Sequence, residues 1–194
     1  MAASDTNLTN GLQKLQAIAF DVDGVLTDGS LTWSPSGEEP SAVTESKSFT
    51  FTDIMGISLL RRLGVKLALI SGEASPLVDQ YATKMHLPFV AKGTRDKPTA
   101  VRDFAAKFGL ELETICFFGD DVNDLAAMEL TGLCACPADA AAEVLEYVSQ
   151  RAAAGTGFVA AQLGGRGAVR AFADAVLAAR KLRGRDVFLL RPPE

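Results

Sequence analysis

The sequence predicts an α/β fold, a parallel sheet with helices on both faces, carrying a β-hairpin arm. Three observations predict it. Short apolar runs alternate with helix-length segments from residue 15 onward, the pattern of strands joined by crossover helices. Two of those runs end in acidic clusters, where open parallel sheets bind their ligands. One turn-rich stretch, residues 29–52, interrupts the alternation and reads as a hairpin.

The elements follow in chain order. Residues 1–14 are polar and lack the apolar core of a signal peptide, so they are expected to be a flexible tail. Residues 15–20 form the first strand pattern and run into Asp21-Val22-Asp23-Gly24-Val25-Leu26-Thr27-Asp28. The chain leaves the strand between these two acids, and Gly24 permits the backbone to turn there. Both carboxylates can then serve one site, one attacking while the other moves a proton. Taken alone, the same residues also fit a strand end capped by Asp.

The arm follows, with strands at 30–33 and 42–51 flanking Ser34-Pro35-Ser36-Gly37-Glu38-Glu39-Pro40. It is too short for a separate cap domain. Helices are expected at 54–63, 75–85, 97–108, 121–130, 138–153 and 168–182. A strand at 65–70 leads into Ser71-Gly72, where a hydroxyl and free N–H groups before a helix suit an anion. Lys97, in Gly93-Thr94-Arg95-Asp96-Lys97-Pro98, offers a point charge for phosphate or carboxylate. The strand 115–118 ends in Gly119-Asp120-Asp121-Val122-Asn123-Asp124. Asp121 fits an N-terminal helix cap as well as a site role, and Asp124 fits a first-turn acid.

Composition narrows the function. A chain of 194 residues reads as one domain, spanning 15–182, with 183–194 as a C-terminal tail. A net charge of -5 leaves no basic face for nucleic acid. No run reaches the roughly 18 apolar residues of a membrane span, so a cytoplasmic protein without membrane partners is expected. Cys116, Cys134 and Cys136 lack the partners of a zinc site and read as buried small hydrophobes. His86, the single histidine, is placed for structure and not catalysis.

The four pieces DVDGVLTD, LISG, the lysine of RDKP and GDDVND, in this order, resemble the haloacid dehalogenase superfamily of phosphotransferases. Cys136-Pro137-Ala138-Asp139-Ala140 and Gly164-Gly165-Arg166-Gly167-Ala168-Val169-Arg170 are similar to the closing segments of its 3-deoxy-D-manno-octulosonate 8-phosphate phosphatases and their sialic-acid-type 9-phosphate relatives. The resemblance implies a Rossmann-like three-layer domain without a cap and a phosphomonoester hydrolase. Asp21 becomes the nucleophile that forms an aspartyl-phosphate, and Asp23 the acid and base. Ser71 and Lys97 hold the phosphoryl group. Magnesium is implied, since oxygen ligands suit a hard cation. Asp21 and Asp120 would bind it by side chain and Asp23 by its carbonyl, with Asp121 and Asp124 behind them.

The same resemblance implies tetramers in which hairpins pair and a neighbour completes the pocket, with Trp33, Phe49 and Phe51 as interface or as the hairpin's own packing. The glycine run 164–167 is either a flexible loop or a backbone segment reaching a neighbour's site. Two departures bear on the substrate. Where the branch has arginines after the second motif and eight positions later, this chain has Glu73 and Tyr81. Thr27, Asp53, Gly72 and Arg95 are the expected substrate contacts, while Arg61 and Arg62 are expected on an exposed helix face.

Overall fold

A computed structural model describes residues 3–37 and 43–191, with side chains from residue 6 onward. Its elements are α1 (Ala3–Lys14), β1 (Ala17–Phe20), β2 (Thr32–Pro35), β3 (Val43–Ser46), α2 (Phe51–Arg62), β4 (Lys66–Ile70), α3 (Pro76–Met85), β5 (Phe89–Ala91), α4 (Lys97–Phe108), β6 (Ile115–Phe118), α5 (Leu125–Leu130), β7 (Leu133–Cys136), α6 (Ala142–Ala153), β8 (Gly157–Val159), α7 (Ala168–Ala179) and α8 (Gly184–Phe188). Six strands form one sheet in the order β5-β4-β1-β6-β7-β8, and β2 pairs with β3 in a separate ribbon. Every pairing in the large sheet is parallel. The fold is therefore the expected Rossmann-like three-layer α/β domain with a hairpin arm.

Alternation along the strands builds the layers. Ile18 and Phe20, Leu67 and Leu69, Cys116 and Phe118 face one side and pack on α1, α2, α3 and α7. Ala17 and Ala19, Ala68 and Ile70, Ile115 and Phe117 face the other and pack on α4, α5 and α6. Strands buried on both faces read as unbroken apolar runs, which is why β1, β4 and β6 stand out in the sequence. Cys116, Cys134 and Cys136 are buried, as expected of small hydrophobes. Their thiols are pushed up by that burial.

Both ends of the chain differ from the expected tails. Residues 3–14 form α1, whose Leu12 joins the core beneath α7. The Gln13 amide donates to Ala179 O at 2.8 Å, and Arg180 donates back to Leu15 O. Residues 184–188 form α8, where Val187 is buried against Leu59 and Leu177. The Arg62 guanidinium lies over the Phe188 ring at 4.9 Å. A few apolar side chains in polar sequence suffice to dock each end, a signal too sparse for periodicity to show.

The hairpin also departs in detail. β3 ends at Ser46, extended chain continues to Thr50, and Phe51 already begins α2. Thr50 caps that helix by accepting from Asp53 N, which moves the start three residues ahead of the expected one. Glu38, Glu39 and Pro40 of the expected turn lie outside the described residues. His86 is structural, ending α3 with a left-handed backbone at φ 51°. Among the described residues, no helix is long and apolar enough to cross a membrane.

Candidate active site

The strand order sets the position of the site. The chain runs outward from β1 through β4 to β5, then returns to β6 on the other flank of β1 and continues to β8. The β1/β6 boundary is thus a topological switch point, where a crevice opens at the carboxyl ends of the strands. Phe20 pairs in register with Phe118, and Asp21 N donates to Phe118 O at 2.9 Å. Asp21 and Asp120 therefore leave adjacent strands into one cleft of about 230 Å³, lined also by Asp23, Ser71, Gly72, Glu73, Asp121 and Asn123.

The turn anticipated after Asp21 is present. Leu26 N and Thr27 N both donate to Val22 O, and Gly24 adopts φ 87°. A Cβ at Gly24 would lie 2.0 Å from Asp120 Oδ2, so glycine is required by backbone conformation and by the neighbouring carboxylate alike. The glycine run 164–167 supports this turn from behind. A Cβ on Gly164 would lie 1.8 Å from Gly24 O, and Gly165 N donates to Val25 O at 2.9 Å. That run packs against the turn of its own chain.

Lys97 opens α4 and is 1% exposed. Its ammonium donates to Asp21 Oδ1 at 2.9 Å and Asp124 Oδ1 at 2.6 Å. Asp124 Oδ2 accepts from Asp120 N and Asp121 N. Asp124 thus fixes both the lysine and the loop after β6. Asp121 caps the short turn 122–124 by accepting from Val122 N, in a reciprocal capping box with Asp124, while its side chain borders the cleft. Ser71 Oγ accepts from Glu73 N at 3.1 Å, leaving its hydroxyl proton to donate into the cleft.

Carboxylate oxygens of Asp21, Asp120 and Asp124 lie within 4.8 Å of one another. Burial first, then the charge of Asp124, pushes Asp21 up to about 6 against the pull of Lys97. Burial first, then Asp21, pushes Asp120 up to about 8. Lys97 is held above its ordinary range, because the two aspartates outweigh the burial that opposes its charge. Three carboxylates face one ammonium, and Asp120 Oδ1 is buried without a hydrogen-bond partner. An all-oxygen donor set with uncompensated negative charge fits a divalent hard cation.

Of the expected substrate contacts, Thr27 and Asp53 are engaged within the fold. Thr27 is buried, its hydroxyl accepting from Gly24 N and Gly29 N within the turn after β1. Asp53 is 1% exposed and accepts from Gly167 N and Arg170 N, each at 3.0 Å. Arg95 is exposed before α4 and is not among the cleft's lining residues. Gly72 does line the cleft. Arg61 and Arg62 are half-buried rather than exposed.

Sequence reasoning missed Lys47. It lies just beyond β3 in no recognisable motif, yet its ammonium reaches Asp23 at 2.8 Å and pairs with Glu73. The two carboxylates hold it above its ordinary range although burial opposes this. Glu73, one of the two departures from the expected arginines, is thereby a partner of this lysine. Tyr81, the other, stacks on Phe49 with ring centroids 4.1 Å apart.

Residues 70–153 match the family model described as haloacid dehalogenase-like hydrolase. The 3-deoxy-D-manno-octulosonate 8-phosphate phosphatase of Haemophilus influenzae is 33% identical over 171 residues, covering 87% of each chain. A solved phosphatase of that name from Moraxella catarrhalis, in complex with magnesium ion, phosphate ion and KDO, superposes with TM-score 0.79 at 28% identity, over 95% of this chain and 97% of that one. A cobalt-bound form of the Haemophilus influenzae enzyme superposes with TM-score 0.76 at 30% identity, over 88% and 92%. The chain belongs to the haloacid dehalogenase-like hydrolases, in the branch of the 3-deoxy-D-manno-octulosonate 8-phosphate phosphatases, and is a phosphatase.

Proposed function

We propose that this phosphatase hydrolyses the phosphomonoester of a 3-deoxy-keto-sugar acid, 3-deoxy-D-manno-octulosonate 8-phosphate or a sialic-acid-type 9-phosphate, through an aspartyl-phosphate on Asp21. One observation carries the reading. Asp21, Lys97 and Asp124 form a buried chain of ion pairs beside an unpartnered Asp120 oxygen, all at the carboxyl ends of β1 and β6. The names of the relatives support the substrate class.

Each residue then has a task. Asp21 attacks phosphorus, and the ester oxygen leaves with a proton from Asp23; Asp23 afterwards takes a proton from the water that cleaves the aspartyl-phosphate. The Ser71 hydroxyl and Gly72 N–H donate to phosphoryl oxygens, and Lys97 offsets charge where it gathers. Asp124 keeps Lys97 in place. Magnesium, held by Asp21, Asp120 and the Asp23 carbonyl, would supply the positive charge that lets a carboxylate approach a phosphate dianion. The exposed Trp33 and Phe51 support assembly into a tetramer through the hairpin arm.

The test is phosphate release with magnesium from sugar-acid, hexose and nucleotide monophosphates, beside Asp21→Asn. Release from 8- or 9-phosphorylated keto-sugar acids, abolished in the variant, is expected. Release confined to other esters would retain the chemistry and reject the substrate class. Glu73 and Tyr81, standing where cations bind the anionic sugar in the branch, make this a demanding comparison.

A further inference from the structure

Lys47 belongs to none of the motifs that define the site, yet its side chain is 1% exposed. Its ammonium touches both carboxylate oxygens of Asp23, at 2.8 and 2.9 Å, and Glu73 on the opposite wall. The placement follows from strand geometry. Alternate residues of extended chain face one way, and Glu45, Lys47 and Phe49 do so toward the segment after β4. Glu45 accepts from the Ser75 hydroxyl, Lys47 holds Glu73, and Phe49 stacks on Tyr81. The hairpin's exit strand is clasped to that segment at three successive points.

Asp23 has reason to need such a clasp. Its carboxyl is 31% exposed and borders a cleft crowded with acids. A carboxyl with one side open to solvent has several rotamers available, most of which point away from a leaving oxygen. An ammonium clamped between two carboxylates is held in place, because leaving either one would uncover a buried charge. The lysine meets both oxygens of the ionised carboxylate, and when one of them takes a proton the other remains as its acceptor.

We propose that Lys47 is a positioning residue, which aims the Asp23 carboxyl at the leaving oxygen of the substrate, with Glu73 as the anchor that keeps the ammonium from swinging onto the phosphoryl group. This rests on the reading of Asp23 as the group that protonates that oxygen. Lys47 acts through Asp23, so its effect depends on whether the leaving group needs a proton. An alkoxide does; p-nitrophenolate does not.

The experiment measures leaving-group release in the first turnover, with magnesium, from a sugar phosphate and from p-nitrophenyl phosphate. General acids contribute on the order of a hundredfold or more, and a loosened one forfeits part of that. Lys47→Met is expected to slow release about 30-fold with the sugar phosphate and at most about threefold with p-nitrophenyl phosphate. Lys47→Arg should restore most of the loss, and Lys47→Met should add nothing in an Asp23→Ala background. Should the Met variant fail to fold, Glu73→Gln carries the test, with about a fivefold loss confined to the sugar phosphate.

Equal losses with both esters would overturn the proposal, whether through a contact with the phosphoryl group or a general loss of structure. So would an unaltered sugar-phosphate rate, or losses that multiply with Asp23→Ala. If Asp23→Ala itself slows both esters alike, the acid role of Asp23 fails and the proposal fails with it. That outcome is read from the Asp23 variant alone, independently of Lys47.

Discussion

Single carboxyls in the cleft carry the clearest consequences for behaviour with pH. Asp21 and Asp120 are raised from 3.8 to about 6 and about 8, first by burial and then by neighbouring charge, that of Asp124 on Asp21 and that of Asp21 on Asp120. Both therefore hold protons in the folded, metal-free protein at pH values where the unfolded chain has lost them. Their contribution to stability is full below about pH 4 and is lost as pH rises through about 6 and then about 8. A divalent cation reverses the sign, since it binds the ionised carboxylates and stabilises the folded state by mass action. The rise in melting temperature on adding magnesium should be near zero at about pH 5.5 and grow steadily to about pH 8.5. Asp120→Asn should abolish that rise, and a magnesium-induced shift that ignores pH would show that these two carboxyls are not the ligands.

At the scale of elements, Asp53 joins two helices. It is the third residue of α2, where its N–H donates to Thr50, and it also accepts the Thr50 hydroxyl. Its carboxylate accepts from Gly167 N and Arg170 N, the first-turn donors of α7 that Gly167, with no side chain, cannot cap itself. Two positive helix ends thus share one buried acid. Gly56 lets the helices meet, since a Cβ there would lie 2.9 Å from Arg170 Cα. Asp53→Ala leaves two N–H groups buried without partners, at a cost of about 2–4 kcal/mol. In a chain of this size that lowers the melting temperature by about 5–15 °C, measured by calorimetry. A loss of activity at unchanged stability would restore Asp53 as a substrate contact. This division explains what the sequence reveals. The apolar runs of β1, β4 and β6 and the acids after them are local patterns, so sheet and nucleophile are legible. The duties of Asp53 and Lys47 depend on partners 114 and 26 residues away, and no local spacing encodes such a meeting. The strands β5 and β8, three residues each, are too short to show a period, and α1 and α8 dock through too few apolar side chains to show one.

For the whole molecule, the open question of shape is what covers the arm. Every residue of β2 and all but one of β3 are exposed, and Trp33 is 67% exposed at its pairing with Glu45. A lone two-stranded ribbon is marginal in water, and its outer edges offer unpaired N–H and C=O groups to another chain. Glu45, Lys47 and Phe49 clasp only the exit strand. Phe51, at the start of α2 just beyond the exit strand, is a second large apolar side chain, 80% exposed. Pairing of arms between copies would bury the aromatic residues and close a cleft that has no cap of its own. Light scattering behind size exclusion should give the mass of a tetramer, and Trp33→Glu should shift it toward monomer, since a charge at a buried interface has no partner. If the arm is also what closes the cleft, that variant should lose affinity for the sugar phosphate more than for p-nitrophenyl phosphate, whose small leaving group needs no wall. A monomeric wild-type protein, fully active toward the sugar phosphate, would reject the assembly and its part in the site together.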